Sequence, residues 1–534
     1  MPLASRPETN PPPSTAADIG LGGIAYKWWV VAAVVFGVFM SVLDTTIVNI
    51  ALAKLQAVFG ATLDGIQWVI TGYVLALTVS IPVFSYLADR MGMKRVYLIS
   101  LVLFTMASAL CGLAWNLNSL VFARILQGLG GGALLPLATA QIFAVFPHQE
   151  RGRAAATLGV PVLLAPALGP TLGGYIVEYL DWRLIFYINV PIGILGVLFC
   201  SMILREYHNP VQRPLDVPGL VLSTLGFSTL IYGISSAADD GWTSLTVIAF
   251  LSVGLICLLS LIGVELRSAH PLLDVGLMAE WNFTAGNLIT WALQIGLFGA
   301  LFLLPIFLQN LRGLTPIQTG LWLLPSALIT AVVLPVGGIL VDRFGAKPII
   351  VIGTLALTLT TYALSHLTLS TTFWTLQLWL LGRSVAIAFT LQPTQVIALS
   401  RVPKEALGRA TSLFSIMRQV VVAFGTAILS TYVENRQPLH FAHLAEKVTA
   451  FSPAGLLINR MLAYFQGRGF DQLRAQAAAL EIAAGQLQLQ ATILAFRDAF
   501  LLTMMIVAGS TLIAFWLRSA VKVVEGQGES LVLD

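Results

Sequence analysis

The sequence predicts an all-α integral membrane protein with fourteen transmembrane helices, and three observations support this fold class. Of the 534 residues, 57% are hydrophobic and only 10% are charged, whereas soluble domains have about 25% charged residues. The apolar residues are grouped in stretches of about 20, the helical length that crosses a bilayer. Lysine and arginine also alternate between successive connections, as the retention of positive charge in the cytoplasm requires.

Fourteen apolar stretches lie between polar breaks, and each is long enough to cross a bilayer core as a helix. The first stretch follows 26 polar, proline-rich residues without a cleavage pattern, so we expect a membrane span and no cleaved signal peptide. The predicted spans are 28–48, 66–86, 96–114, 119–143, 154–178, 184–203, 217–235, 243–264, 284–308, 317–341, 349–368, 374–397, 407–432 and 497–517.

The lysine and arginine distribution predicts the orientation of the spans. If both termini are cytoplasmic, seventeen of these cations fall in cytoplasmic segments and three in the opposite short loops. Six more lie in a long external connection, about residues 433–496, or at its end, where Arg497 is the sixth. The Ala/Gln/Leu-rich part around 471–496 predicts an amphipathic helix along the outer membrane face. This connection is either a helical hairpin that binds no partner or a docking site for another protein.

An internal repeat divides the chain into two halves. LADRMGMKR begins at residue 87 after span 2, and LVDRFGAK begins at residue 340 after span 10. ERGRA at residue 150 and EALGRA at residue 405 precede spans 5 and 13 at nearly the same offset. Spans 1–6 and 9–14 are therefore predicted to be two six-helix repeats, an arrangement typical of alternating-access carriers.

The repeat predicts the domain organisation. In chain order, the segments are a polar cytoplasmic tail at 1–27, a six-helix bundle at 28–203, two inserted helices at 217–264, a second six-helix bundle at 284–517 that includes the external loop 433–496, and a cytoplasmic tail at 518–534.

Further motifs lie in order on the predicted spans. Span 1 contains LDTTIVNIAL from residue 43, span 4 contains RILQGLGGG from residue 124, and span 5 contains APALGPTLGG from residue 165. WR at residue 182 and NVPIG at residue 189 open span 6. With these motifs, the chain resembles the major facilitator superfamily, and within it the fourteen-span drug:proton antiporters of the EmrB/QacA type.

The resemblance implies a major facilitator fold and a secondary active transporter in a bacterial inner or plasma membrane. It implies export of small lipophilic or amphipathic compounds by proton antiport through alternating access, with no cofactor besides the proton gradient. The partners implied are the small-molecule substrate, protons, the lipid bilayer and, as a candidate, a periplasmic adaptor protein. Export is inferred from the span 5 motif, which resembles the signature of exporters and contains Gly169, Pro170, Gly173 and Gly174.

A few charged residues lie within the predicted spans, where a charge costs at least about 2.5–3.5 kcal/mol and is functional by default. Asp44 lies towards the outer end of span 1, and Arg124 lies at a similar depth in span 4. The two are predicted to pair, and protonation of Asp44 would release the arginine. The alternatives are that Asp44 caps a helix end and that Arg124 binds carbonyl groups of span 1.

The two DR-containing loops are predicted to form a gate at the inner mouth, because their charges can bridge neighbouring helix ends and a glycine permits the tight turn. Their charges also anchor the loops in the cytoplasm. The gating residues are Asp89, Arg90, Gly92, Lys94, Arg95, Asp342 and Arg343.

A substrate cavity is predicted from aromatic and amide side chains on the spans expected to line it, although such residues often pack between helices or lie at the interface. Arg418 of span 13 would neutralise or gate this cavity, or extend towards the cytoplasm. The cavity residues are Gln67, Trp68, Tyr73, Gln127, Asn287, Trp291, Gln294 and Arg418.

Several function classes are excluded. The net charge of +4 without a basic aromatic run argues against a nucleic-acid partner. No phosphate-binding GxxxxGK[ST] loop occurs, and neither an enzyme site nor a metal site can be assembled. Two alternatives stay open: a dedicated exporter or flippase of one endogenous metabolite or lipid, and a membrane sensor or assembly subunit that transports nothing.

Overall fold

The computed structural model describes residues 24–206, 216–268, 271–403, 406–449 and 451–518, and these ranges contain eighteen α-helices. Most of the two predicted tails and parts of three connections therefore lie outside the described residues. The inner ends of the helices are those that the lysine and arginine distribution predicts to be cytoplasmic.

Eight helices form the first half. In this half, spans 4 and 6 are each made of two consecutive helices, and spans 1, 2, 3 and 5 are single helices. The helices are α1 (Tyr26–Phe59), α2 (Leu63–Met91), α3 (Met93–Gly112), α4 (Leu117–Gly131), α5 (Leu134–Val145), α6 (Arg151–Tyr179), α7 (Leu184–Tyr187) and α8 (Asn189–Ile203).

The second half also contains eight helices, and two inserted helices precede it. The inserted pair is α9 (Val217–Asp240) and α10 (Leu245–Glu265). The helices that follow are α11 (Trp281–Ile306), α12 (Pro316–Phe344), α13 (Ala346–Leu364), α14 (Phe373–Ala388), α15 (Leu391–Ala398), α16 (Leu407–Glu446), α17 (Pro453–Gly467) and α18 (Gln472–Phe515).

The architecture is the predicted all-α membrane fold. Among the described residues, thirteen helical segments are long and apolar enough to cross a membrane. In addition, α11 is 26 residues long and occupies the place of the predicted ninth span. The chain is therefore a multi-pass membrane protein whose helices agree with a fourteen-span arrangement.

The external connection differs from its prediction. Helix α16 continues to Glu446, and α18 runs without interruption from Gln472 to Phe515, so residues 472–496 extend the last span and form no separate helix on the membrane surface. The reason is local, because this part is rich in strong helix formers and contains no proline. Its alanines at positions 475, 479 and 483 are buried at helical spacing, and α16 and α17 both pack against α18.

The two halves meet along two seams. In the first seam, α6 packs against α12 over most of its length. The two helices are so close that added side chains would clash near both ends. A Cβ atom on Gly338 would lie 2.5 Å from the Gly152 carbonyl oxygen, and one on Gly320 would lie 2.6 Å from Thr171 Oγ1. In the second seam, α16 packs against α2 and α5. The halves are thus in contact rather than separated by a wide central opening.

The inserted pair covers the second seam. Helix α9 contacts both α2 and α16, and its Tyr232 stacks on Trp68 of α2 at a ring-centroid distance of 5.8 Å. Beyond the end of α9, the Trp242 indole donates a hydrogen bond to Thr431 Oγ1 of α16 at 2.9 Å. The pair therefore packs against both halves of the molecule.

Candidate functional site

Asp44 lies near the middle of the 34-residue helix α1, and its side chain is 0% exposed. The sequence predicts a position nearer the outer end, but α1 continues to Phe59, well beyond the predicted end of span 1. Capping of a helix end is therefore excluded as an account of this aspartate. A buried carboxylate in the middle of a helix needs partners from other helices.

Arg124 of α4 provides the opposite charge. Its Nη1 donates to Asp44 Oδ2 at 2.5 Å and to Gln127 Oε1 at 2.6 Å, and its Nε donates to the carbonyl oxygen of Val69 in α2 at 3.1 Å. The guanidinium carbon also lies 4.1 Å from the centre of the Tyr73 ring. The sequence alternative, in which Arg124 binds carbonyls of span 1, does not occur: its partner on α1 is the carboxylate.

Two amides complete the hydrogen bonding of the carboxylate. Asp44 Oδ1 accepts from Gln127 Nε2 at 2.9 Å and from Asn189 Nδ2 at 3.0 Å. Asn189 opens α8 and also donates to Ser108 Oγ of α3 at 3.1 Å. Asp44 is thus bound by groups from α4 and α8, which makes a buried polar network within the first half.

The sequence does not single out Asn189 as a site residue, although it lies in the NVPIG motif. A buried amide at the start of an apolar span is the signal that could have identified it. Tyr73 and Gln127 were predicted to line the substrate cavity, but their side chains contact Arg124 and Asp44. Both are almost completely buried.

Glycines allow the network helices to approach closely. A Cβ atom on Gly128 would lie 2.3 Å from the Tyr73 carbonyl oxygen, and one on Gly132 would lie 2.2 Å from the Leu77 carbonyl oxygen. The glycines of the RILQGLGGG motif therefore bring α4 against the backbone of α2, which places Arg124 within reach of Val69.

The span 5 motif packs against the part of α1 that carries Asp44. A Cβ atom on Gly169 would lie 2.3 Å from Thr46 Oγ1, and one on Gly173 would lie 2.9 Å from Ile47 Cγ1. Gly174 differs, since nothing lies within 4 Å of its Cβ position. Pro170 is within α6, and its side chain lies outside the described part.

One predicted gating residue joins the two halves at their inner ends. Asp342 of α12 accepts hydrogen bonds from the backbone N–H groups of Gly152 at 2.9 Å and Arg153 at 3.3 Å, at the start of α6. It also forms an ion pair with Arg153 Nε at 3.3 Å. A carboxylate at a helix N-terminus is a favourable arrangement, because the terminal N–H groups have no partner within the helix.

Its counterpart in the repeat, Asp89, lies beside the start of α16. A Cβ atom on Gly408 would lie 3.7 Å from Asp89 Oδ1. Gly92 and Gly345 follow their respective aspartates and have φ values of +96° and +85°, which only glycine adopts readily.

The basic residues of the two loops stay within their own halves. The Lys94 Nζ donates to the Ser201 carbonyl oxygen at 2.7 Å, and its backbone N–H donates to Glu206 Oε1 at 3.1 Å. Arg95 Nε lies 3.6 Å from Glu206 Oε2. Arg90 donates to the Tyr86 hydroxyl of its own helix at 3.4 Å, and Arg343 lies over the adjacent Phe344 ring.

The predicted cavity residues are dispersed. Trp68 is 42% exposed and faces the inserted pair, whereas Gln67 is partly buried. On α11, Asn287 donates to the Phe283 carbonyl oxygen of its own helix at 2.9 Å. Trp291 Nε1 is buried without a partner in the described part of the chain, and Gln294 is buried nearby.

Arg418 lines a small cavity between the two halves. The cavity has a volume of about 30 Å³ and is walled by α5 and α6 on one side and by α11, α15 and α16 on the other. This volume holds about two water molecules. The arginine thus lies at the contact between the halves, and this position rules out the alternative of an extension into the cytoplasm.

The second half contains another buried arginine, Arg383 of α14. It donates to Thr361 Oγ1 at 3.0 Å and to the Gly296 carbonyl oxygen at 2.6 Å. Neutral groups therefore bind this guanidinium, in contrast to the carboxylate that binds Arg124.

The comparisons with known proteins decide the family. Residues 34–426 match the family model described as Major Facilitator Superfamily. The chain belongs to this superfamily. Two solved structures share its fold at 14% sequence identity: the human organic anion transporter MFSD10 (TM-score 0.57, covering 90% of this chain and 99% of that one) and the proton:xylose symporter XylE (TM-score 0.57, covering 90% and 94%).

Similar superfamily members come from bacteria. The uncharacterized transporter YhcA of Bacillus subtilis is 31% identical over 496 residues, 91% of this chain and 92% of that protein. The multidrug export protein EmrB of Escherichia coli K12 is 32% identical over 447 residues, 82% and 86% of the two chains. The multidrug resistance protein Stp of Mycobacterium tuberculosis H37Rv is 34% identical over 403 residues, 74% of each. The chain is therefore a superfamily transporter with multidrug efflux relatives, and not an enzyme.

Proposed function

We propose that this chain exports small lipophilic or amphipathic compounds in exchange for protons, by alternating access of its two bundles. The observation that carries the proposal is the buried Asp44–Arg124 pair, the one ion pair among the described residues in which both side chains are almost fully buried. Relatives named for multidrug export and resistance support the substrate class.

Asp44 is the proposed proton carrier. When it is ionised, it holds Arg124 through the bond at 2.5 Å. A proton on the carboxylate removes its charge and leaves the guanidinium bound to Val69 and Gln127, which are neutral. Because an uncompensated buried charge is costly, the network then favours a different helix arrangement.

We propose that α6 transmits the effect of Asp44 protonation to the contact between the two bundles. The α1 turn that follows Asp44 packs against Gly169 and Gly173 of α6, and α6 packs against α12 of the other half. A small shift of α1 is therefore passed to the first seam, where the two halves meet.

Asp342 is the proposed inner latch. Its bonds to the start of α6 hold the inner ends of the halves together, so a change to the inward-open state must break them. The proton gradient supplies sufficient energy for uphill export. One proton crossing about 100 mV releases about 2.3 kcal/mol, which sustains roughly a fiftyfold concentration gradient.

A periplasmic adaptor protein is the proposed protein partner, and the outer parts of α16, α17 and α18 form the surface offered to it. Phe451 and Leu473, in this region, are 90% and 80% exposed. Replacing both with serine is expected to weaken co-purification with the adaptor while leaving transport in vesicles unchanged. Equal co-purification of the two forms would contradict this assignment.

The decisive experiment measures proton movement in reconstituted vesicles when lipophilic cations and neutral drugs are added. Coupled proton movement is expected with several unrelated compounds, and Asp44→Asn should reduce it to the leak of empty vesicles while preserving folding. Asp181→Asn, which changes an exposed aspartate, is the matched control. Undiminished pumping by Asp44→Asn would refute the proton site, and silence of the wild type across the panel would favour a single-substrate exporter or flippase.

A further inference from the structure

Arg418 has no partner for its charge in the described part of the chain. It forms no ion pair there, although it lines the cavity between the two halves. Arg124 and Arg383, which are buried within the predicted spans, differ: Arg124 binds a carboxylate, and Arg383 binds a hydroxyl and a carbonyl group. A charge held at the contact between the halves without an opposite charge is costly, so its presence there points to a partner that arrives from outside the chain.

Two further polar groups beside Arg418 lack partners. Thr290 of α11 is 3% exposed and Gln392 of α15 is 6% exposed, and both line the same cavity. Thr290 Oγ1 and Gln392 Oε1 make no hydrogen bond among the described residues. The threonine hydroxyl can donate to an incoming group, whereas the glutamine oxygen can only accept. A threonine within a helix can normally bond a carbonyl group of the preceding turn, but Thr290 does not do so. A buried polar group without a partner destabilises the fold by about 1–3 kcal/mol.

The cavity lies where a substrate would contact both bundles. Leu135 and Leu158 come from the first half, whereas Arg418, Gln392 and Thr290 come from the second. Gln392 also reaches across the interface, since a Cβ atom on Gly159 of α6 would lie 2.4 Å from its Nε2. One wall is therefore apolar, and the opposite wall carries a cation and hydrogen-bonding groups.

The charge of the lining decides the class of ligand. The lining contains one arginine, two glutamines, one threonine and one serine, but no carboxylate among the residues described there. A cationic group would be repelled by the arginine. A carboxylate matches the guanidinium geometry and can accept two parallel hydrogen bonds from it.

We propose that this cavity is the headgroup subsite for the carboxylate of an amphipathic substrate. Arg418 pairs with the carboxylate, the Thr290 hydroxyl donates to it, and the apolar body of the substrate lies along Leu135 and Leu158 as the halves separate. The cavity volume of about 30 Å³ suits a headgroup rather than a whole molecule. This inference rests on the proposed export function and narrows its substrate class to amphipathic organic acids.

The test is equilibrium binding to the purified full-length protein, without a proton gradient. Three probes share one ring system and differ in charge at neutral pH: 9-anthracenecarboxylate, the neutral 9-anthracenecarboxamide and the cationic 9-(aminomethyl)anthracene. The wild type is expected to bind the carboxylate at least about tenfold more tightly than the amide, because a hydrogen bond to a charged group contributes about 1.5–3 kcal/mol and 1.4 kcal/mol is tenfold. The amine is expected to bind most weakly.

Variants test whether Arg418 and Thr290 cause the preference for the carboxylate over the amide. Arg418→Gln should weaken carboxylate binding about tenfold to a hundredfold and leave amide binding unchanged. Arg418→Lys should retain part of the preference, and Thr290→Val, which is nearly isosteric, should lose a few-fold. Arg383→Gln is the matched control, since it removes a buried arginine that binds elsewhere. Amide binding reports whether each variant is folded.

Three results would overturn the subsite. The wild type could bind the carboxylate and the amide equally, or it could bind the amine more tightly than the carboxylate. Alternatively, both Arg418→Gln and Thr290→Val could lose affinity for all three probes to the same extent. The failure of the proposed function is a separate result. A chain that prefers the carboxylate but moves no protons in vesicles refutes proton antiport, whereas one that pumps protons without this preference refutes only the subsite.

Discussion

At the residue scale, the Asp44 network concentrates polar groups in a place where water cannot replace them. The carboxylate accepts three hydrogen bonds, from the guanidinium and one amide of α4 and from one amide of α8. Loss of one buried partner costs more than the bond itself is worth, because the remaining group stays desolvated. The network therefore ties the position of α1 to those of α4 and α8.

Asn189→Leu tests this dependence. The change removes one donor from Asp44 and one partner from Ser108, so we expect the free energy of unfolding to fall by about 1–3 kcal/mol. The measurement is denaturant or thermal unfolding of the purified protein in detergent. Gln67→Leu is the control, since Gln67 is an amide in the same half without a hydrogen bond in the described part of the chain. Equal unfolding midpoints for the two variants would contradict the prediction.

The sequence predicts the pairing of Asp44 with Arg124, because charges in apolar spans are few and these two lie at similar depth. It does not predict the amides that complete the pair, since many buried amides bond only to their own helix, as Asn287 does. Tyr73 and Gln127 look like cavity residues in the sequence for a similar reason. Only the packing of α4 on α2 shows that their side chains turn towards the charges.

At the scale of single elements, span positions were predicted from hydrophobicity alone, whereas helix lengths were not. Helix α16 has 40 residues and α18 has 44, so each is about 60 Å long and far exceeds a bilayer core of about 30 Å. Hydrophobicity marks where a helix leaves the bilayer but not where it ends. The outer part of α18 has buried alanines at positions 475, 479 and 483, and both α16 and α17 pack against this helix.

The span 5 motif allows a prediction for α6. Gly169→Val would place side-chain atoms where Thr46 Oγ1 already lies 2.3 Å from the Cβ position. We expect overpacking of about 1–3 kcal/mol and a fall in vesicle transport of about tenfold. Gly174→Ala provides the control in the same helix, since nothing lies within 4 Å of its Cβ position, and it should be neutral or slightly stabilising. Equal transport by both variants would show that close α1–α6 packing is unnecessary.

At the scale of the whole molecule, the inner ends of the halves are joined by a carboxylate at a helix N-terminus. Asp342→Ala removes two backbone hydrogen bonds and an ion pair across the seam. Since even one hydrogen bond to a charged group contributes about 1.5 kcal/mol or more, we expect the inward-open population to rise at least about tenfold.

Labelling from the inner side measures this population. Ala156 is buried at the seam, where its Cβ lies 2.8 Å from the Cβ position of Gly338. In an Ala156→Cys, Cys257→Ser background, Asp342→Ala should speed reaction with a membrane-impermeant maleimide about tenfold, whereas Asp181→Ala should not. Unchanged labelling would show that other contacts hold the inner ends together.

The inserted pair also makes the two seams unequal for a compound dissolved in the lipid. At the second seam, α9 lies over the contact between α2 and α16, so a molecule diffusing in the plane of the bilayer meets protein there. At the first seam, α6 and α12 meet each other directly. A transporter that takes its substrate from a leaflet would therefore admit the substrate at the first seam only. The lipids bordering α6 and α12 would then set the local substrate concentration.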